Sequence, residues 1–149
     1  MTFKQKIVQH HLVLLQDKID VFRDMISGLA EDAQNDAKGS AGDKHETALS
    51  MMHLEQEKLS AKLKEALQMK TILEKIDATA TTSKIAVGSV IKTNGMYLFM
   101  SAALPKIAID GVNVIALSPQ SPLGVKLMGG GIGETFEINS SKYTIETID

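Results

Sequence analysis

The sequence predicts an α+β protein. An N-terminal antiparallel coiled-coil hairpin (residues 1–77) leads through a linker (78–84) into a small antiparallel β domain with one short helix (85–149). Three observations predict this. Apolar residues recur at alternating four- and three-residue steps through the first half. The period then switches to that of strands after a small polar stretch. Two dipeptides suited to tight hairpin turns, Asn94-Gly95 and Asp110-Gly111, punctuate the second half.

The first helix is defined by Val8, Leu12, Leu15, Ile19, Phe22, Ile26, Leu29 and Ala33, a heptad seam of the kind that packs one helix along another. No proline occurs before Pro105. Residues 34–43 combine two glycines with short polar side chains and predict a break. A second helix is predicted from Lys44 to Asp77, with Ala48, Met52, Leu59, Leu63, Ala66, Leu73 and Ile76 on its apolar face. Asp43 is placed to cap it, and Glu46 at the third helical position can reach back, a capping-box arrangement. About 30 residues per helix give an arm of about 45 Å.

Thr79-Ala80-Thr81-Thr82-Ser83 reads as the linker. Beyond it, Ser89–Thr93 and Met96–Met100 flank the first tight turn, and Lys106–Ile109 and Val112–Leu117 flank the second. Ser121 followed by Pro122 sets a cap and a first-position proline for a short helix, Leu123–Met128. The run Gly129-Gly130-Gly131-Ile132-Gly133 ends that helix. Thr135–Ile138 and Tyr143–Ile148 are predicted as a third strand pair.

Composition excludes several function classes. With no cysteine there is neither a disulfide framework nor a thiolate metal site. This agrees with a reducing compartment, and a cytoplasmic location is expected. The run Leu12-Val13-Leu14-Leu15 is too short to span a bilayer. It follows Lys4 and Lys6, but no small-residue cleavage pattern comes after it and the helical period runs through it, so a signal peptide is rejected. Net charge is −2 and Arg23 is the only arginine, so the chain lacks the basic face of a protein that grips nucleic acid unaided. With no Trp, two Tyr and four Phe, a base-stacking platform is not expected either.

Asp43 and Glu46, one helical turn apart at the hairpin tip, are the residues best placed for chemistry in another molecule's site. Helix capping and favourable charge at a helix N-terminus can coexist with that role. His10, His11, His45 and His53 lack a metal-binding spacing and read as surface or packing residues. The glycine run follows a helix instead of preceding one, so it reads as a C-cap and turn, not as a phosphate loop. Glu31, Asp32 and Asp36 read as a solvated helix end.

Two motifs resemble the Gre transcript-cleavage factors of bacterial RNA polymerase, GreA and GreB. Gly42-Asp43-Lys44-His45-Glu46-Thr47-Ala48 is similar to the family's Gly-Asp-x-x-Glu-Asn-Ala tip, with Thr47 in place of Asn. Ser121-Pro122-Leu123-Gly124, followed by Gly129, Gly133 and Glu134, is similar to a segment of the family's FKBP-like domain. The order and lengths of the two parts also fit. The resemblance implies an FKBP-like second domain that docks on polymerase through Ser121, Pro122, Leu123 and Gly124. It implies a coiled coil that enters the secondary channel of the core enzyme. It further implies that Asp43 and Glu46 help hold a catalytic Mg²⁺, shared with polymerase and held only in the complex, while polymerase itself cuts backtracked RNA. The protein would then be no enzyme on its own. Its contact with nascent RNA would be indirect, it would have no membrane partner, and it would act as a monomer.

The chain departs from the family pattern where Ser50 stands near a usual Tyr and where Gly130 and Gly131 replace residues that are often basic. Two alternatives stay open. One is a non-cleaving secondary-channel regulator, similar in strategy to DksA or to inhibitory Gre homologues. The other is an FKBP-like prolyl isomerase or chaperone. An isomerase pocket needs several lining aromatics, and only Tyr97, Phe99, Phe136 and Tyr143 occur beyond residue 22.

Overall fold

A computed structural model describes residues 1–39 and 43–149, with the side chains of 36–39 and 43–45 outside the description. Two long helices come first: α1 (Phe3–Gly39) and α2 (Asp43–Glu74). There follow β1 (Val90–Thr93), β2 (Met96–Met100), β3 (Ile107–Ile109), β4 (Val112–Leu117), α3 (Pro122–Leu127), β5 (Thr135–Ile138), β6 (Ser141–Thr144) and β7 (Thr147–Ile148). The protein is thus α+β, a helical hairpin plus a small β domain. No helix among the described residues is long and apolar enough to cross a membrane. The chain divides into two compact units, residues 13–70 and residues 1–12 with 71–149.

Residues 13–70 contain most of the hairpin. Leu15, Ile19, Leu59 and Ala66 are buried, while Phe22, Ile26, Leu29, Ala33, Ala48, Met52 and Leu63 are half-buried, so the seam read from the sequence is the packed face. Lys70 Nζ donates to Gln16 Oε1 at 2.8 Å. That contact joins residues on opposite sides of the reversal, as antiparallel pairing requires. The break predicted over 34–43 does not begin at residue 34, because α1 continues to Gly39. Gln, Ala and Lys are good helix formers and the short polar residues cost only tenths of a kcal/mol each, so propagation carries through to the glycine.

Gly28 sits inside α1, and a Cβ there would meet nothing within 4 Å. Neither packing nor a positive φ requires glycine at this position. Gly28→Ala is expected to stabilise the hairpin by about 0.5–1 kcal/mol, by removing the excess backbone entropy of glycine. The check is a higher urea midpoint for loss of helical circular dichroism.

In the other unit, the start of α1 packs on the sheet. Thr2 and Gln5 cap α1 reciprocally: Gln5 N donates to Thr2 Oγ1 at 3.1 Å and Thr2 N to Gln5 Oε1 at 2.8 Å. The Phe3 and Tyr97 rings meet edge to face at 5.0 Å, and Lys6 pairs with Asp110 at 3.0 Å.

The main sheet has the order β3-β4-β2-β1-β7. Both glycine-containing turns form as read. Asn94 and Gly95 have φ of 43° and 80°, and Asp110 and Gly111 have 52° and 77°, the left-handed pair that a two-residue hairpin of this type demands. The sheet is mixed, however, and not antiparallel throughout, because β2 and β4 pair in parallel from Tyr97↔Val114 to Met100↔Leu117. Parallel neighbours need a crossover. Residues 101–106 and the edge strand β3 supply it, a pairing that neither local turn specifies.

The strand predicted over Tyr143–Ile148 is also divided. β6 pairs with β5 in a separate two-stranded sheet, whereas β7 pairs with β1. Between them, buried Ile145 donates its N–H to Glu134 O and accepts from Gly133 N, both at 2.8 Å, which turns the chain from one sheet to the other. The core joins Ile85, Ile91, Leu98, Met100, Leu117, Leu127, Phe136 and Ile145.

His11 is 1% exposed, stacks on Phe99 at 5.9 Å, and leaves Nε2 without a partner. Burial, with a smaller contribution from neighbouring His10, lowers its pKa from 6.5 to about 4. The unfolded chain therefore takes up a proton at this site before the folded one does. Stability from neutral His11 is complete above pH 6.5 and is lost as pH falls toward 4, by about 3 kcal/mol. His11→Leu should remove this component. The check is the difference between wild-type and variant unfolding free energies measured across that pH window.

Candidate functional site

The tip site rests on the first turn of α2. Asp43 is the first residue of α2 and Glu46 stands three residues on, a rise of about 4.5 Å along the axis. The unpaired N–H groups and positive end of the helix dipole favour carboxylates in this turn. Glu46 is solvent-exposed. The side chain of Asp43, and with it the expected cap, lies outside the described residues, as do residues 40–42 and the side chains of Asp36 and His45.

Two carboxylates offer the hard oxygen donors that Mg²⁺ takes, but an octahedral ion needs further ligands. Among the described residues, no three His, Cys, Asp or Glu side chains cluster to supply them.

Beyond Glu46 on α2, Met51 and Leu54 are apolar side chains left 66% and 60% exposed. Reading α2 only for its buried seam misses these two residues. The signal available in the sequence was their position outside the heptad pattern.

The second candidate segment surrounds α3. Ser121 is its N-cap, with φ −66° and ψ 157°, and Pro122 occupies the first turn. Ser121 Oγ accepts from Gly124 N at 3.0 Å and donates to Ser118 O at 2.7 Å. These bonds tie the helix start to the preceding loop. Of the four docking candidates, Pro122 is exposed, Ser121 and Leu123 are half-buried, and Gly124 is buried. Leu123 packs against the core. The outward apolar surface is instead formed by Pro122, Val125 and Met128, at three-residue spacing along the helix, with Ile132 exposed in the following loop.

The glycine run caps α3 and joins it to the chain before β1. Gly130 N donates to Leu127 O at 2.9 Å, Gly129 N to Ile85 O at 2.8 Å, and Ile85 N to Gly130 O at 2.8 Å. Glu134 accepts from Gly131 N. Its carboxylate thus closes the loop.

The aromatics that an isomerase pocket would use have packing roles. Phe99 stacks with His11, Phe136 with Tyr143 at 5.6 Å, and Tyr97 meets Phe3. His10 and His53 are exposed. No family model matches the chain, and no curated protein matches it either.

Proposed function

We propose that the chain is a Gre-like transcription elongation factor. It binds bacterial RNA polymerase core, inserts its helical hairpin into the secondary channel and promotes cleavage of backtracked RNA. The observation that carries this reading is a helical hairpin whose second helix opens on Asp43 and Glu46, followed in the same chain by a β domain with the Ser121-Pro122 cap. At 1.5 Å per residue, the 32 residues of α2 span about 48 Å, a length suited to carrying a charged tip into a deep channel.

Asp43 and Glu46 would contribute oxygen ligands to Mg²⁺ in the complex, with polymerase completing the set. Magnesium there supplies charge stabilisation and water activation for phosphodiester hydrolysis. The contribution of this chain would be to bring two negative charges on the first turn of α2. The absence of a basic face supports a factor that reaches RNA through a protein partner. The small β domain, in this reading FKBP-like, docks on the outside of the enzyme. Thr47 in place of the tip Asn favours one second reading, occupancy of the channel without cleavage.

The outward apolar surface of α3 makes docking testable. Pro122→Ala combined with Val125→Asp should weaken binding to purified core polymerase by at least about tenfold, roughly 1.4 kcal/mol, while leaving the fold intact because both side chains are exposed. Unchanged affinity of the folded double variant, measured by fluorescence anisotropy, would remove α3 from the docking surface.

A further inference from the structure

A cavity of about 290 Å³ lies where the last turn of α2 meets the chain leading into β1, lined by Lys4, Ile72, Ile76, Val87, Gly88 and Ser89, among others. Its walls divide chemically. Ile72, Ile76 and Val87 form an apolar side, and a Cβ on Gly88 would come within 2.9 Å of Ile76, so the backbone is drawn close there. The opposing charge is Lys4, a lysine only 4% exposed. Lysines are almost never so buried without a paired charge or a full set of acceptors. The Lys4 ammonium carries three donor hydrogens, and its one hydrogen bond among the described residues is to Ala80 O at 2.7 Å.

We propose that this cavity binds a small apolar acid, a short branched-chain carboxylate whose oxygen accepts from the Lys4 ammonium while its hydrocarbon body lies against Ile72, Ile76 and Val87. The charge around the site is mixed, with Lys4 and Lys75 set against Asp77 and Asp149. Lys75 adds a second cation to the lining. Asp77 also lines the cavity, and its Oδ1 accepts from Thr79 N at 2.9 Å and Thr79 Oγ1 at 2.6 Å. Burial lowers the Lys4 pKa, and Coulomb attraction to Asp149 and Asp77 opposes that shift. Neither forms a hydrogen-bonded ion pair with Lys4 among the described residues. A ligand carboxylate supplies the direct partner that the protein withholds. The hydroxyls of Ser89 and Thr82 are committed within the chain, Ser89 Oγ accepting from Ala86 N at 3.0 Å and Thr82 Oγ1 donating to Lys84 O at 2.6 Å. Recognition therefore falls to Lys4, with Lys75 beside it, and an apolar wall, a combination that selects a monocarboxylate with a hydrocarbon body over a bare phosphate.

The test is a methyl NMR titration of the whole protein with isovalerate, with isovaleramide and inorganic phosphate as comparison arms. Saturable shifts of the Ile72, Ile76 and Val87 methyls are expected with isovalerate, at least tenfold weaker with the neutral amide, and no matching shifts with phosphate. Lys4→Met, which keeps the length and removes the charge, should weaken isovalerate binding at least tenfold. Val87→Phe, which adds bulk to the lining and leaves Lys4 in place, should do the same. Absence of saturation, equal binding of amide and acid, equal response to phosphate, or unaltered binding by folded Lys4→Met or Val87→Phe would each overturn the proposal.

Discussion

Asp43→Asn or Glu46→Gln is expected to reduce stimulated transcript cleavage by about 10²–10³-fold, the magnitude typical of removing one preorganised charged group from a reacting centre. Polymerase binding should change little, because each substitution keeps size and shape. The pair also separates the chemical role from the structural one. Asn caps a helix about as well as Asp, so Asp43→Asn leaves a cap available. Glu46→Gln gives up only the charge–dipole contribution at an exposed site, on the order of 0.3–1 kcal/mol. A large loss of cleavage with near-wild-type stability assigns the carboxylates to the reaction. Variants that stimulate cleavage as well as wild type would leave them as helix-terminus residues and nothing more.

Gly124→Ala is expected to be the most damaging single-methyl change in the β domain. A Cβ at Gly124 would lie 2.0 Å from Ser118 O and 2.9 Å from Ser118 C. Both atoms are backbone, so no side-chain rotation relieves the clash. The helix start must move away from the loop. That movement strains the Ser121 Oγ bonds to Gly124 N and Ser118 O that cap α3. Overpacking of about 1–3 kcal/mol together with a lost cap of about 1 kcal/mol gives a destabilisation of about 2–4 kcal/mol. Urea denaturation followed through NMR signals of the β domain measures it. A cost below about 1 kcal/mol would show that α3 tolerates displacement. Gly28→Ala, where a Cβ meets open space, is expected to change stability in the opposite direction.

This contrast shows what kind of information the sequence carried. Local rules worked where a few neighbouring residues decide the outcome. Asn94-Gly95 and Asp110-Gly111 adopt the left-handed conformations that their residue types favour, and Ser121-Pro122 starts α3 at the predicted place. The alternating seam from Val8 to Ala33 is buried or half-buried throughout because helical packing repeats along the chain.

Non-local pairing was not legible. Nothing in either hairpin turn states that β4 will lie beside β2 in parallel, or that Ile145 will end β6 and send β7 to β1. The third turn, Asn139-Ser140, also has positive φ at both residues, 50° and 68°, but lacks the glycine that announces such turns. The Thr2–Gln5 cap was present as a Thr-x-x-Gln pattern and could have been read. At the candidate site, the spacing of Asp43 and Glu46 was legible. The burial of Leu123 and Gly124 was not, because it depends on how α3 seats against the core. Lys4 illustrates the same limit. It lies in the first turn of α1, and only the tertiary packing buries it.

The measurement that tests the central claim most directly is cleavage of 3′-labelled RNA in stalled, backtracked complexes of purified polymerase, with and without the protein, over a magnesium series and with binding measured in the same samples. A Gre-like factor predicts faster release of short 3′ fragments on addition of wild-type protein, increasing with magnesium and strongly diminished in Asp43→Asn and Glu46→Gln. Binding without stimulation at any magnesium concentration would contradict the cleavage role and make the protein a channel-occupying regulator. Absence of binding to polymerase would contradict the account as a whole.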